Sequence, residues 1–537
     1  MPRPLNLADV LEAIADAVPD RPAVVTLDRT WTYREVDERA TRLADHLRGL
    51  GVRPGDHVAV HSANRIEWVE AFYGCFKARA VPINVNYKYL RDELAHVYGD
   101  AGCVAAVVAP EHAEDVRAVA PPALRHLLVL GEEYDAALAA ASPERPADPG
   151  RSEDDHYTLY TGGTTGKPKG VVWRHADIIR AALNASRLGA PIESVEQLAT
   201  EAAANQSPMV LLACGPMMHG GSQWILGNAH VSGSTVAFYD RPSFDPETIL
   251  DLVQHARVVS LTFLGDAMGR PVAEAILAEP DRWDLSSLVA VSNGAAPLSD
   301  GVREEIRRAL PGRFILDTYG SSESGATASR VDDGSEGPVG APRFNPSPDV
   351  EVFDHELRPC PVGVDGMLAR SGPMPLGYHN DPARTAATFK EVDGRRWSIP
   401  GDVARREEDG SITVLGRGSV CINTGGEKVH PEEVEAVLLR HDDVFDAVVV
   451  GTPHERWGQQ VTALVQRREG SAVDDEQLRT HVRTLLSSYK VPKEVRFVDQ
   501  VPRTAVSKVD YAASRELALE LLDRPEAGRS SAHPATR

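Results

Sequence analysis

The stretch Tyr160–Val171, Y-T-G-G-T-T-G-K-P-K-G-V, constrains this chain more than any other. Its twelve residues hold four glycines, three threonines and two lysines, and it ends in an apolar run. Glycines allow a tight turn and bring backbone N–H groups close to a ligand. Threonine hydroxyls and lysine ammoniums add donors, a composition that suits a polyphosphate. Two familiar nucleotide loops are excluded. Thr161 stands six positions before Lys167, where a Walker loop needs glycine, and Pro168 follows that lysine in place of Ser or Thr. The stretch also lacks G-x-G-x-x-G. A bare cluster of Gly and Thr equally fits a flexible loop, so composition alone leaves the role open.

At 537 residues the chain is long enough for two or three cores, and its 42% hydrophobic content is that of a globular protein. No run reaches the apolar length of a membrane helix, and the N-terminus M-P-R-P-L-N-L-A-D-V lacks the apolar core of a signal peptide. A cytoplasmic location is the expectation. Five widely spaced cysteines without C-x-x-C suggest neither a disulfide framework nor a zinc site. The formal net charge of −21 argues against a nucleic-acid surface. A nucleotide site must therefore gather positive charge locally, and Lys167, Lys169 and nearby Arg174 are the residues placed to do so.

Along the chain, helical and strand patterns alternate. Leu7, Val10, Leu11 and Ile14 share a helical face, and Thr32-Tyr33-Arg34-Glu35 is a capping-box pattern opening a second helix. His57–His61, Val81–Val85, Val104–Val108 and Leu127–Leu130 read as strands, and Ile66–Ala78 as a helix between them. Val171–Trp173, Met209–Cys214, Val258–Phe263, Leu288–Ser292 and Phe314–Asp317 follow as buried strands. This alternation predicts an α/β fold: a large N-terminal domain of layered, largely parallel sheets and helices. From Gly418 the character changes. Pro431–Leu439, Ala447–Val450, Val461–Val465 and the apolar face of Leu478, Val482, Leu485 and Leu486 predict a smaller, mobile α+β C-terminal domain. The expected boundaries are 1–417 and 418–525, with 526–537 a disordered tail.

Several further segments fall in an informative order. Gly215-Pro216-Met217-Met218-His219-Gly220-Gly221 follows one strand, and Ser292-Asn293-Gly294-Ala295-Ala296-Pro297-Leu298 another. Asp317-Thr318-Tyr319-Gly320-Ser321-Ser322-Glu323 ends a third; Trp397-Ser398-Ile399-Pro400-Gly401-Asp402 and Gly416-Arg417 come next. Thr424-Gly425-Gly426-Glu427 and Pro502-Arg503-Thr504-Ala505-Val506-Ser507-Lys508 close the series. With the glycine loop, these resemble the motifs of the adenylate-forming superfamily (acyl-CoA synthetases, luciferases and peptide-synthetase adenylation domains). The departures are Gly162 for Ser, Ser322 for Thr, Pro400 for Thr, Ser419 at the hinge position and Ser507 for Gly. The texture around Tyr160–His175, Trp397–Asp402 and Gly416–Pro431 most resembles actinobacterial fatty-acyl and steroid-acid CoA synthetases.

The resemblance implies a site. Thr161, Gly162, Gly163, Thr164, Thr165, Gly166 and Lys169 would cradle the phosphates of ATP. Gly294, Asp317, Tyr319 and Ser322 would meet the adenosine and α-phosphate, and Asp402 and Arg417 the ribose. Glu323 would hold Mg²⁺, His219 would line the carboxylate pocket, and Lys508 would stabilise charge between carboxylate and α-phosphate. Gly425 and Gly426 would border the route of CoA. Trp224–Leu226 and Leu264–Arg270 would shape the acid pocket, and His175 is as much a helix-start residue as a ligand contact. The implied reaction is activation of a carboxylic acid as acyl-AMP, followed by transfer to CoA. An alternative shares every motif: an ATP-dependent diazotase that activates nitrite and diazotises an aromatic amine such as an aminobenzoate. Small-molecule substrates are expected either way, with no nucleic acid and no membrane span, and the resemblance leaves room for a homodimer.

Overall fold

The computed structural model describes residues 3–523 except 162–166, 185–189, 242, 295–297, 299, 333–342, 418–421, 430 and 503–510. The chain divides into two compact units, the first ending at Ser419 and the second beginning at Val420.

The first unit contains two sheets with parallel centres. In one, Val81–Asn84, His57–His61, Ala105–Val108 and His126–Val129 run parallel; the first three are almost wholly buried, and the edge strand His126–Val129 buries only Leu128. Burial on both faces explains why the first three read as continuous apolar runs. The hairpin His156–Thr161/Lys169–Arg174 joins the same sheet and carries the short strand Gly377–Tyr378 on its outer side. In the other, Pro22–Val25, Thr235–Phe238, Val210–Ala213, Ser260–Phe263, Ala290–Asn293 and Phe314–Ser321 are successive parallel neighbours. Beyond Phe314–Ser321 the expectation of largely parallel sheets fails. Gly325–Asp332, Arg343–Pro346, Ile412–Arg417, Asp402–Arg406 and Asp365–Arg370 extend the sheet in antiparallel pairs. Two of these pairs, Phe314–Ser321 with Gly325–Asp332 and Asp402–Arg406 with Ile412–Arg417, are joined by connections too short for the crossover that a parallel pair needs.

The capping box forms as the sequence predicts. The Glu35 N–H donates to Thr32 Oγ1 at 3.2 Å, and the Thr32 N–H donates to Glu35 Oε2 at 2.8 Å. Two buried histidines serve the scaffold. His230 accepts from the Tyr73 hydroxyl at 2.8 Å and donates to Ala23 O at 3.2 Å. His175 opens the helix His175–Ala182, accepts from the Leu7 N–H at 3.2 Å and donates to His156 O at 3.1 Å. Its two ring nitrogens are thus engaged with the backbone, which makes it the helix-start residue of the two readings.

The second unit is a five-stranded sheet with helices Pro431–Leu438, Asp475–Leu485 and Tyr511–Asp523. Val434, Leu438, Val449, Leu478 and Val482 share its core. Its two longest strands, Val444–His454 and Gly458–Arg467, are much longer than the apolar runs suggest. Thr452, beyond the apolar run of its strand, is buried beside Thr462 and the two hydroxyls satisfy each other at 2.7 Å.

Candidate active site

The hairpin register sets Thr161 directly opposite Lys169, so residues 162–168 are its connection and the two lie at its base. Gly162, Gly163, Thr164, Thr165 and Gly166 fall outside the described residues. Gly170 is required by packing, because a Cβ there would lie 2.7 Å from the Tyr160 ring. The Tyr160 hydroxyl donates to Asp100 Oδ2 at 2.7 Å. Asn84, at the carboxyl end of its parallel strand, fixes the same region. Its Oδ1 accepts from the Tyr160 N–H at 2.8 Å, while its Nδ2 donates to Tyr160 O at 2.9 Å and Met218 O at 2.6 Å. One buried amide therefore ties the loop's base to the segment that leads into His219. Sequence reading missed Asn84, although the carboxyl end of a parallel strand is where α/β sheets bind ligands. Arg174 does not add to the local positive charge as expected, since it pairs with Asp177 at 2.7 Å and Asp154 at 3.2 Å.

Glu323 sits on the turn between Phe314–Ser321 and Gly325–Asp332, and only 4% of it is exposed. The strand bulges at Tyr319/Gly320, where a side chain on Gly320 would drive into Gly325 O. Three elements pin this turn through its carbonyls. Trp173 Nε1 donates to Ser322 O at 3.0 Å, Ser398 Oγ to Glu323 O at 2.6 Å, and Arg370 Nη1 to Ser324 O. The Glu323 carboxylate accepts from the Tyr378 hydroxyl at 2.8 Å and pairs with Lys169 Nζ at 3.3 Å. Glu323 and Lys169, singled out from motifs more than 150 positions apart, are thus brought together. Tyr319 is half-buried beside Phe344, with ring centroids 5.7 Å apart, and Ser322 is half-buried.

Asp317 lies one turn deeper. Its carboxylate accepts from Arg303 Nη2 at 2.7 Å and Asn293 Nδ2 at 3.2 Å, while Asn293 Oδ1 accepts from the Gly265 N–H at 2.9 Å. Arg303 also reaches Asp332 at 3.3 Å. The carboxylate of Asp317 therefore holds protein groups, and through Asn293 it fixes the strand end that leads into Gly294, where an added Cβ would lie in ordinary contact with Thr318 O at 3.5 Å.

Asp402 and Arg417 are directly opposite each other on paired strands. Gly401 precedes Asp402 with φ +97°, a conformation open to glycine, and this turns the chain so that Asp402 starts its strand. His219 is half-buried and immediately precedes the helix Gly220–Val231. In the second unit, Gly425 and Gly426 form the two-residue turn of the hairpin Ile422–Thr424/Glu427–Val429, with φ of +58° and +85°. Two successive left-handed residues are what such a turn demands. Lys508 lies outside the described residues.

Among the described residues no group of three or more His, Cys, Asp or Glu is placed to hold a metal. A single buried carboxylate does fit magnesium, which is commonly bound by one or two carboxylates together with substrate phosphates. Among the same residues no helix is long and apolar enough to cross a membrane.

A carboxylate–ammonium pair at the base of the glycine-rich hairpin, with Asp402 opposite Arg417 on an antiparallel ladder, is an arrangement that suits a nucleotide. Residues 11–379 match the AMP-binding enzyme family and residues 433–508 match the AMP-binding enzyme C-terminal domain; the chain belongs to that family. It is 41% identical over 534 residues to a 3-oxocholest-4-en-26-oate–CoA ligase of Rhodococcus rhodochrous, covering 95% of this chain and 96% of the relative. It is 42% identical over 538 residues to a medium/long-chain-fatty-acid–CoA/3-oxocholest-4-en-26-oate–CoA ligase of Mycolicibacterium smegmatis, covering 96% and 97%. Among solved structures, the amide bond synthetase McbA from Marinactinospora thermotolerans superposes with a TM-score of 0.77 at 25% identity, covering 95% of this chain and 99% of that one. The nitrite-activating alternative draws no support from these relatives.

Proposed function

We propose that the chain is an ATP-dependent acid–CoA ligase that forms an acyl adenylate and passes the acyl group to CoA. The pairing of Glu323 with Lys169 at the base of the glycine hairpin carries this reading, in a chain similar to acid–CoA ligases nearly end to end. Lys169 would meet the phosphates, Tyr319 would stack on adenine, and Asp402 and Arg417 would take the ribose. Magnesium held by Glu323 would neutralise phosphate oxygens. With those charges balanced, a carboxylate oxygen of the acid attacks the α-phosphorus and pyrophosphate leaves. Lys508 would neutralise charge in that step, and the CoA thiol would then displace AMP, with Gly425 and Gly426 bordering its path. The chain's own contribution is positioning and charge neutralisation, because both reacting partners are anionic. Fatty and steroid side-chain acids are the proposed substrates, in line with the two relatives' names.

The test supplies purified protein with Mg·ATP and CoA together with fatty, steroid or aromatic acids. In parallel it receives Mg·ATP with nitrite and an aminobenzoate. Acid-dependent AMP release, with thioester only when CoA is added, is expected. Nitrite-dependent AMP release and a diazo chromophore without CoA would overturn the reading.

A further inference from the structure

Tyr378 has no place in the motifs that mark the site, yet it touches both charged groups at its centre. Its hydroxyl donates to Glu323 Oε1 at 2.8 Å and accepts from Lys169 Nζ at 3.1 Å. Its ring lies under the same ammonium, 4.2 Å from ring centroid to Nζ. The Lys169–Glu323 distance itself is 3.3 Å, longer than the roughly 2.7–2.9 Å of a closed charge-assisted hydrogen bond. The tyrosine thus stands in the corner between the two charges and shares each of them.

Its own position is over-determined. Gly377–Tyr378 is a strand on the outer side of Lys169–Arg174, with Tyr378 opposite Val171. The flanking N–H groups of Leu376 and His379 donate to Val172 O at 2.7 Å and Gly170 O at 2.8 Å. The Tyr378 N–H donates to Thr385 Oγ1 at 2.9 Å, and Arg396 holds the preceding carbonyls of Pro375 and Leu376 at 2.8 and 2.7 Å. Gly377 has no room for a side chain, since a Cβ would meet Thr385. Burial, and then the neighbouring Glu323 carboxylate, push the phenol well above its usual range, so it keeps the proton it donates.

We propose that Tyr378 is a positioning residue for adenylate formation: its hydroxyl keeps Lys169 and Glu323 from closing on each other, leaving the ammonium for phosphate and the carboxylate for magnesium. The proposal rests on the proposed function for the reaction and for nucleotide and magnesium at this pair; the geometry of Lys169, Tyr378 and Glu323 stands without it. Without the hydroxyl, the two side chains can shorten to a closed pair. At an effective dielectric of about 20, that contraction strengthens the pair roughly fourfold in an equilibrium constant. Magnesium and nucleotide must then break a tighter contact, and a hydrogen bond to each charge is lost as well. A loss of about tenfold is expected.

The experiment compares wild type, Tyr378→Phe, Lys169→Met and the double variant by calorimetric titration with α,β-methylene-ATP, with magnesium and with EDTA. The ratio of the two dissociation constants measures what magnesium adds. Tyr378→Phe retains the ring and should cut that ratio about tenfold. It should raise the KM for Mg·ATP while leaving the KM for the acid within twofold and lowering the thermal midpoint by no more than a few degrees. In the Lys169→Met background the same substitution should change the ratio less than twofold, because the closing partner is gone. An unchanged ratio in Tyr378→Phe would overturn the proposal, as would an equal effect with and without Lys169. Loss of the folding transition, or parallel loss of acid and nucleotide affinity, would make the hydroxyl merely structural and also overturn it. A wild type that binds the analogue but activates no acid would refute the ligase reading and leave the Tyr378 result readable.

Discussion

Replacing Asp317 by Asn separates a ligand contact from a support. Asp317 is 5% exposed, and its carboxylate holds Arg303 and Asn293 at 2.7 and 3.2 Å. Asn keeps a neutral acceptor for Arg303, and Arg303 keeps Asp332 at 3.3 Å, so the loss is the difference between a charge-assisted and a neutral hydrogen bond. That is about 1–2 kcal/mol. Arg303→Met removes more. It leaves Asp317 buried without its cation while Arg307 still holds Asp332. Breaking a buried pair from one side costs about 3–5 kcal/mol. A unit of roughly 400 residues unfolds with an entropy on the order of 0.8 kcal/mol/K, so the expected falls in thermal midpoint are about 1–2 °C and about 4–6 °C. If Asp317 acts by fixing Asn293 and the approach to Gly294, nucleotide affinity should fall in the same order, more for Arg303→Met. Scanning fluorimetry gives the first quantity and titration with α,β-methylene-ATP the second. Weaker nucleotide binding by Asp317→Asn than by Arg303→Met would refute the reasoning and make Asp317 a direct contact.

Gly320→Ala should disturb the Glu323 turn, because its Cβ would meet backbone that cannot swing aside; adenylate formation should fall at least about tenfold, and normal pyrophosphate release would contradict this. Lys508→Ala should slow pyrophosphate release on the order of 10²–10³-fold with folding intact, and near-wild-type release would remove Lys508 from the mechanism. Burial holds His175 and His230 below the usual imidazole range, at about 4, so between pH 6.5 and 4 the unfolded chain binds protons that the folded chain does not. Stability is therefore full above pH 6.5 and falls below it by about 1.4 kcal/mol per histidine per pH unit; an unchanged thermal midpoint from pH 7.5 to 5 would be inconsistent with this.

What could be read from the sequence was what short range dictates. Thr32 and Glu35 cap a helix three residues apart, and Gly425-Gly426 must turn a hairpin wherever it lies. Tyr319–Glu323 was visible only through the family motif it resembles; the need for Gly320 at the bulge shows in the structure alone. The supporting residues were not visible, because their partners lie far along the chain. Tyr378 meets Lys169 across 209 positions and Glu323 across 55, and Asn84 meets Tyr160 across 76. A Gly-Tyr pair or an Asn after an apolar strand carries no local mark of such a partner. Arg174 shows the opposite failure. It was counted as local positive charge, yet Asp177, three positions on, is within reach on the helix it precedes.

The net charge of −21 makes nucleotide binding look unfavourable until the charges are placed. Exposed acidic residues beyond about 8 Å are largely screened at physiological ionic strength, so the overall sign acts weakly at the loop. Within the described part of the site the buried charges are already paired: Lys169 with Glu323, Arg303 with Asp317 and Asp332. Such pairing holds the groups in place before substrate arrives and spares the reaction the cost of reorganising them. It also sets a requirement, because an ammonium and a carboxylate paired too well would serve neither phosphate nor magnesium. Spacing therefore matters more than charge count here, and spacing is set by neutral residues: Asn293 beside Asp317, and the Tyr378 hydroxyl between Lys169 and Glu323.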